Sequence, residues 1–138
     1  MTHSEYIVQK DKIYLIETAN RGGGVLPSEV VVPLASGINL LDQYISDCLG
    51  YQFNYYHIPE RNSVALRFLN FEPGRVAAIY NWDILTCDPR CIYSRLMVKP
   101  GDQVNKITSD ADRHGFIIFR GSIYEADSLI SKVQLDYA

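Results

Sequence analysis

The stretch from Glu5 to Gly24 constrains this chain more than any other. Two apolar, β-prone runs, Glu5 to Gln9 and Ile13 to Glu17, flank Lys10-Asp11-Lys12, and the second run ends in a carboxylate, an arginine four residues on and three successive glycines. Runs so spaced predict a β-hairpin. If all three intervening residues form the loop, Gln9 pairs with Ile13, Ile7 with Leu15, and Glu5 falls opposite Glu17 on the same face. A two-residue loop shifts the register and sends the two carboxylates to opposite faces. The expected chemistry therefore hangs on loop length.

Facing carboxylates repel, and a divalent cation between them is the simplest remedy. Mg²⁺ is commonly held by one or two carboxylates together with substrate phosphates. The residues that follow suit phosphate. Arg21 offers a planar five-donor guanidinium, and Gly22, Gly23 and Gly24 let backbone N–H groups approach an anion closely. The plainer alternative is a glycine-rich loop beside a surface arginine.

The chain has 138 residues, 47% of them hydrophobic and 21% charged, which is the composition of a folded globular protein. Its formal net charge of -3 argues against a nucleic-acid footprint. No apolar run approaches the roughly 18 residues that span a bilayer, and the first residues lack a basic-then-apolar leader, so a cytoplasmic location is expected. Cys48, Cys87 and Cys91 match no usual zinc spacing and are expected to be reduced thiols, with Cys48 in the core.

Beyond the glycines, Pro27-Ser28-Glu29 starts a short helix that Pro33 distorts and that ends at Ser36-Gly37. Asn39 caps a clearer helix with Leu40, Leu41, Tyr44, Ile45, Cys48 and Leu49 on one face and Gly50 at its left-handed stop. Tyr51 to Asn62, with Tyr55, Tyr56 and His57, reads as a polar and aromatic connector. Strands follow at Val64 to Phe71, Arg75 to Tyr80, Cys91 to Val98 and Phe116 to Phe119, punctuated by Glu72-Pro73-Gly74 and Lys99-Pro100-Gly101-Asp102 turns. Trp82 to Leu85 forms one helical turn. Ser122 and Glu125 have capping-box spacing ahead of a last helix whose apolar face is Ala126, Leu129, Ile130 and Val133. His57 and His114 read as surface or hydrogen-bonding histidines, and Asp110, Asp112 and Arg113 as a solvated turn.

The fold class predicted is α+β, mainly antiparallel, with an N-terminal hairpin, two short helices and a C-terminal capping helix. The expected division is 1–50, carrying the hairpin, the Arg-Gly-Gly-Gly loop and two helices, and 51–138, a β-rich lobe.

Several of these stretches resemble the C-terminal part of the ATP-grasp superfamily, the carboxylate–amine ligases and relatives such as biotin carboxylase and the carbamoyl-phosphate synthase large chain. His3-Ser4-Glu5 is similar to the family's His-Thr-Glu strand, and Glu17-Thr18-Ala19-Asn20-Arg21 to its Glu-x-Asn/Ala-x-Arg loop. Leu34 to Leu40, Arg67-Phe68-Leu69, Pro73-Gly74-Arg75, Gly101-Asp102, Arg113 to Ile117 and Glu125-Ala126 follow in family order. The resemblance implies Glu5 and Glu17 as ligands of Mg²⁺ or Mn²⁺, Arg21 as the catalytic clamp on the transferred phosphoryl group, and Asn20 with Gly22, Gly23 and Gly24 as nucleotide contacts. It further implies ATP and a small carboxylate as substrates, with an acyl phosphate attacked by an amine. Ala19 stands where many relatives carry a metal-binding Asn, a feature that some amino-acid ligases share.

Met1 precedes the His-Ser-Glu motif by only two residues, so the family's nucleotide-fold domain is expected to be missing from this chain. The polypeptide alone is expected to be inactive and to dimerise through the apolar surface left uncovered. No nucleic-acid or membrane partner is expected. The alternatives are a scaffold in which Glu5 and Glu17 face solvent, or a carrier module. Val98 to Val104 resembles the Gly-Asp turn of biotinyl and lipoyl carriers, but Lys10, Lys99, Lys106 and Lys132 lack the small or apolar flanks of a modified lysine.

Overall fold

The computed structural model describes residues 2–51 and 61–138, and divides the chain into two compact units, Met1–Glu60 and Arg61–Ala138. The expected connector aromatics Tyr55, Tyr56 and His57 lie outside the described residues. No helix of the described residues is long and apolar enough to cross a membrane.

In the first unit, β1 (His3–Gln9) and β2 (Lys12–Ala19) form a two-stranded antiparallel hairpin. The loop is Lys10-Asp11 alone, with Gln9 opposite Lys12, and Lys10 takes a φ of 53°. A positive φ at the first loop residue belongs to the tight turns whose twist matches that of paired strands. The three-residue loop is thus corrected: Ile7 faces Tyr14 rather than Leu15, and Gln9 faces Lys12 rather than Ile13.

A distorted helix follows. Pro27–Val31 is a wide π-type turn, anchored by the Leu26 carbonyl, which accepts from the N–H groups of Val30 (3.0 Å) and Val31 (3.2 Å). It runs into α1 (Val32–Ser36), which stops at Gly37 with φ 71°. The wide turn lies immediately before Pro33, which has no N–H to donate and whose ring crowds the carbonyl four residues back. Next, α2 (Leu40–Cys48) begins as the sequence requires, with the Asn39 side-chain oxygen accepting from the N–H groups of Leu41 and Asp42. Its apolar stripe does not form a core, however. Tyr44, Ile45 and Leu49 are exposed and so is Cys48, which corrects the expectation that this thiol is buried.

The second unit contains β3 (Val64–Phe68), β4 (Gly74–Tyr80), α3 (Trp82–Thr86), β5 (Cys91–Leu96), β6 (Gln103–Val104), a 3-10 turn at Asp110–Asp112, β7 (Gly115–Arg120), α4 (Ile123–Ile130) and β8 (Gln134–Tyr137). Two three-stranded antiparallel sheets result, in the orders β3-β7-β5 and β6-β4-β8. The continuous apolar run Phe116-Ile117-Ile118-Phe119 is central in the first sheet, as burial on both faces demands. Ile117 and Phe119 join Ala65, Leu85, Ala126, Leu129 and Val133 in one core, while Phe116 stacks on Tyr93 on the opposite face.

The chain ends on a strand rather than on the capping helix. After α4, Gln134–Tyr137 pairs with β4, and the ring of Tyr137 lies so close to Gly74 that a Cβ there would sit 2.5 Å from it. His114 is 4% exposed and fully partnered. Its Nδ1 accepts from the Phe71 N–H at 3.0 Å and its Nε2 meets the Asn105 carbonyl at 3.0 Å, so it ties three loops together.

Candidate functional site

The carboxylate pair assembles, by a different route from the one the spacing suggested. From Gln9–Lys12 up to Tyr6–Leu15 the hairpin keeps the register of a two-residue loop, which continued unbroken would set Glu5 against Ile16. A β-bulge at Ile16 adds one residue to β2 and restores the pairing of Glu5 with Glu17, followed by Ser4 with Thr18 and His3 with Ala19. One extra residue inverts the alternation of side chains beyond it, so the bulge brings Glu17 to the face that carries Glu5. The Ser4 and Thr18 hydroxyls, 2.8 Å apart, lock the restored register on the opposite face.

Arg21 reaches back over this end of the hairpin. Its Nη1 donates to the Gly22 carbonyl at 2.9 Å, and its Nη2 lies 3.9 Å from Glu17 Oε1. Both side chains are more than half exposed, so the pair contributes little to stability and leaves guanidinium donors open to a ligand. Gly23 is the close-packed member of the triplet. A Cβ there would lie 2.6 Å from Pro27 Cγ and 3.3 Å from His3 Cδ2, whereas nothing lies within 4 Å of one built on Gly24. His3 Nδ1, buried beside the loop, has no hydrogen-bond partner. Asn20, at the exposed edge, completes the segment.

Sequence reasoning passed over one feature of this site and gave no role to another, His3. The Ile16 bulge leaves no signature in a run of four apolar residues, whereas His3 could have been found from its spacing, because it shares a strand face with Glu5 two residues on. Among the described residues no group of three His, Cys, Asp or Glu side chains is placed to hold a metal. The site is therefore no closed protein cage. It fits a hard cation held by two carboxylates, with phosphate oxygens and water filling the remaining positions, and the all-oxygen character of Glu5 and Glu17 suits Mg²⁺.

The second unit carries its own charged clusters, and they are structural. Arg67 forms a two-pronged pair with Asp127, at 2.6 and 3.1 Å, which fastens α4 to β3. Arg90 grips Asp88 with Nε and Nη2, reaches Glu125 with Nη1 and lies over the Phe119 ring. That grip holds the Asp88 carboxyl down to about 2. Asp112 accepts from the backbone and hydroxyl donors of Thr108 and Ser109, which lower its pKa, so the expected solvated turn is a capped one.

The antiparallel sheets, the carboxylate-bearing hairpin and the few short helices make an α+β fold. Residues 67–134 match the family model described as L-amino acid ligase C-terminal domain 2. Over 99% of its length the chain superposes on the crystal structure of L-amino acid ligase from Bacillus licheniformis, with TM-score 0.76 and 18% identity. It superposes equally over 99% of its length on phosphoribosylglycinamide synthetase from Anaerococcus prevotii, with TM-score 0.74 and 18% identity. The chain spans 36% and 37% of those two structures. No curated protein matches it. The chain therefore has the fold of a little over a third of each of those two structures, and the family model matches within its second unit.

Proposed function

We propose that this chain is the C-terminal part of an ATP-dependent, Mg²⁺-requiring ligase that activates a carboxylate as an acyl phosphate for attack by an amine. The observation that carries this reading is the pairing of Glu5 with Glu17 beneath Arg21. Glu5 and Glu17 hold the cation, which when bound neutralises the charge on the phosphates. Arg21 orients the transferred phosphoryl group and stabilises the charge that develops on its oxygens. The backbone N–H groups of Gly22, Gly23 and Gly24, with Asn20 beside them, donate to the remaining anionic oxygens. The substrate carboxylate attacks the γ-phosphate of ATP and releases ADP, and the amine then displaces phosphate to form an amide.

Of the possible acyl donors, an amino acid has the most support, because residues 67–134 match a domain family described for L-amino acid ligases. Since the chain spans little more than a third of the similar structures, the residues that hold adenine are assigned to the remainder of a longer protein, and this polypeptide alone is inactive.

Mn²⁺ tests the site. It should broaden the NMR signals of the hairpin around Glu5 and Glu17, more strongly when triphosphate is present. Glu5→Gln or Glu17→Gln should each weaken this by roughly tenfold or more, as loss of one of two charged ligands implies. Broadening centred on Asp110 and Asp112, with the hairpin untouched, would refute the assignment.

A further inference from the structure

The glycine loop shows an inversion of what its sequence leads one to expect. None of Gly22, Gly23 and Gly24 takes a positive φ, while the two residues after them do: Val25 at 55° and Leu26 at 61°. Two other described non-glycine residues share that region, and each has a local reason. Lys10 sits in the hairpin turn, and Asn81 is of the residue type that tolerates the left-handed conformation, with its amide tied to the Lys132 carbonyl. Val25 has no such reason. It is β-branched, and left-handed backbone is a genuine outlier for that side chain.

The strain is placed where glycines could relieve it. Gly24 adjoins Val25, yet its own backbone is ordinary and the space where its Cβ would stand is open, so in this conformation nothing requires glycine there. Gly23, by contrast, is wedged between Pro27 and His3. On the other side the strained pair is held by the helix start, where the Leu26 carbonyl receives two N–H groups of the π-type turn. Strain of this kind clusters at ligand clamps and switch segments, and here a permissive residue stands unused beside the restrictive one that carries it.

We infer that Gly22 to Leu26 is a two-state loop in which binding of a polyphosphate at Arg21 moves the positive φ from Val25 and Leu26 onto Gly24 and releases the strain. This rests on the proposed reading of Arg21 and the glycines as a phosphate site. Gly23 acts as the fixed point, and the turn at Pro27 feels the change. In the free chain the strain holds affinity in reserve. Each left-handed residue that reverts is worth roughly five- to thirtyfold in the balance between the two states. The device couples occupation of the phosphate site to the start of the following helix.

The test uses the full chain with inorganic triphosphate and Mg²⁺, followed by NMR. One-bond Cα–Hα couplings, which distinguish positive from negative φ, should report left-handed Val25 and Leu26 in the free chain and ordinary values at saturation, as the Arg21 and Gly24 signals shift. Val25→Gly removes the strain without ligand, and Gly24→Ala obstructs the bound conformation. Each should weaken triphosphate binding by roughly five- to thirtyfold while leaving the free hairpin spectrum unchanged. If Arg21 responds to triphosphate but Val25 and Leu26 keep positive φ, or if both variants bind as the parent does, the switch is overturned and the phosphate site stands. If neither Arg21 nor Gly24 responds, the phosphate reading fails and the switch falls with it.

Discussion

The two units of this chain solve opposite problems with similar sequence material. In the β-rich unit Leu69, Leu85, Ile117, Ile118 and Phe119 are wholly buried. In the hairpin unit Tyr6, Val8, Ile13 and Leu15 share one strand face and all lie open, Val8 at 71% and Ile13 at 70%. A run of branched apolar residues is thus a core in one place and an open surface in the other. The difference is strand count. A central strand with neighbours on both sides and α4 against one face removes its side chains from water, whereas a two-stranded ribbon has no third layer of its own and is at best marginally stable in isolation. The second unit closes a core of its own, and the first leaves its strand faces open.

The sharpest way to break that comparison is to truncate one apolar side chain in each unit. Phe119→Ala opens a cavity in the closed core and should cost about 3–5 kcal/mol. Ile13→Ala removes a side chain that is already hydrated and should stay within about 0.5 kcal/mol. Urea unfolding followed by tryptophan fluorescence reads both, because Trp82 packs against the core that contains Phe119. Equal losses for the two variants would mean that the hairpin face is covered and that the contrast is false.

Smaller, but equally specific to the second unit, is the start of α4. Ser122 accepts from the Glu125 N–H, and Glu125 in return accepts from the Ser122 N–H and hydroxyl, at 2.8 Å each. Ser122→Ala opens this reciprocal cap and should cost about 1 kcal/mol of global stability. Because α4 lies over the core, the loss should appear in the main unfolding transition and leave amide exchange in β1 and β2 unchanged. A change confined to the hairpin would overturn the placement of α4 in the stable unit.

What the sequence made legible follows the same division. Helix caps at Asn39 and Ser122, the Gly37 and Gly50 stops and strands β3, β4, β5 and β7 were readable because each rests on local chemistry or on an apolar run long enough to register. Strands β6 and β8 were not. One is two residues long, and the other, Gln134–Tyr137, is mostly polar and becomes a strand only because β4 offers an open edge. At the candidate site, the facing of Glu5 and Glu17 was legible while its cause was not. Loop length was misjudged by one residue, and the bulge at Ile16 made up that residue. The two deviations compensate, so a correct pairing came from an incorrect turn. The strained Val25 and Leu26 left no trace at all, since a triplet of glycines draws the eye to itself and away from the residues that carry the positive φ.

The smallest effect concerns the surface of the stable unit. Asp88 sits with only 15% of its side chain exposed, in the grip of Arg90, and its carboxyl is lowered from 3.8 to about 2, first by the hydrogen bonds from the Arg90 side chain and then by the one from the Arg90 backbone N–H. A carboxylate whose folded pKa lies below its unfolded value adds stability that is fully present above about pH 4 and fades as the pH falls through about 2. The Ser122 donors depress Glu125, the other carboxylate on Arg90, in the same direction. Asp88→Asn should therefore lower the melting temperature slightly at pH 6, and the gap to the parent should close between pH 4 and pH 2. The pair lies wholly within the second unit, so amide exchange in the hairpin should not distinguish parent from variant at any pH in that range. A gap that persists undiminished at pH 2 would show that Asp88 acts through packing rather than through its charge.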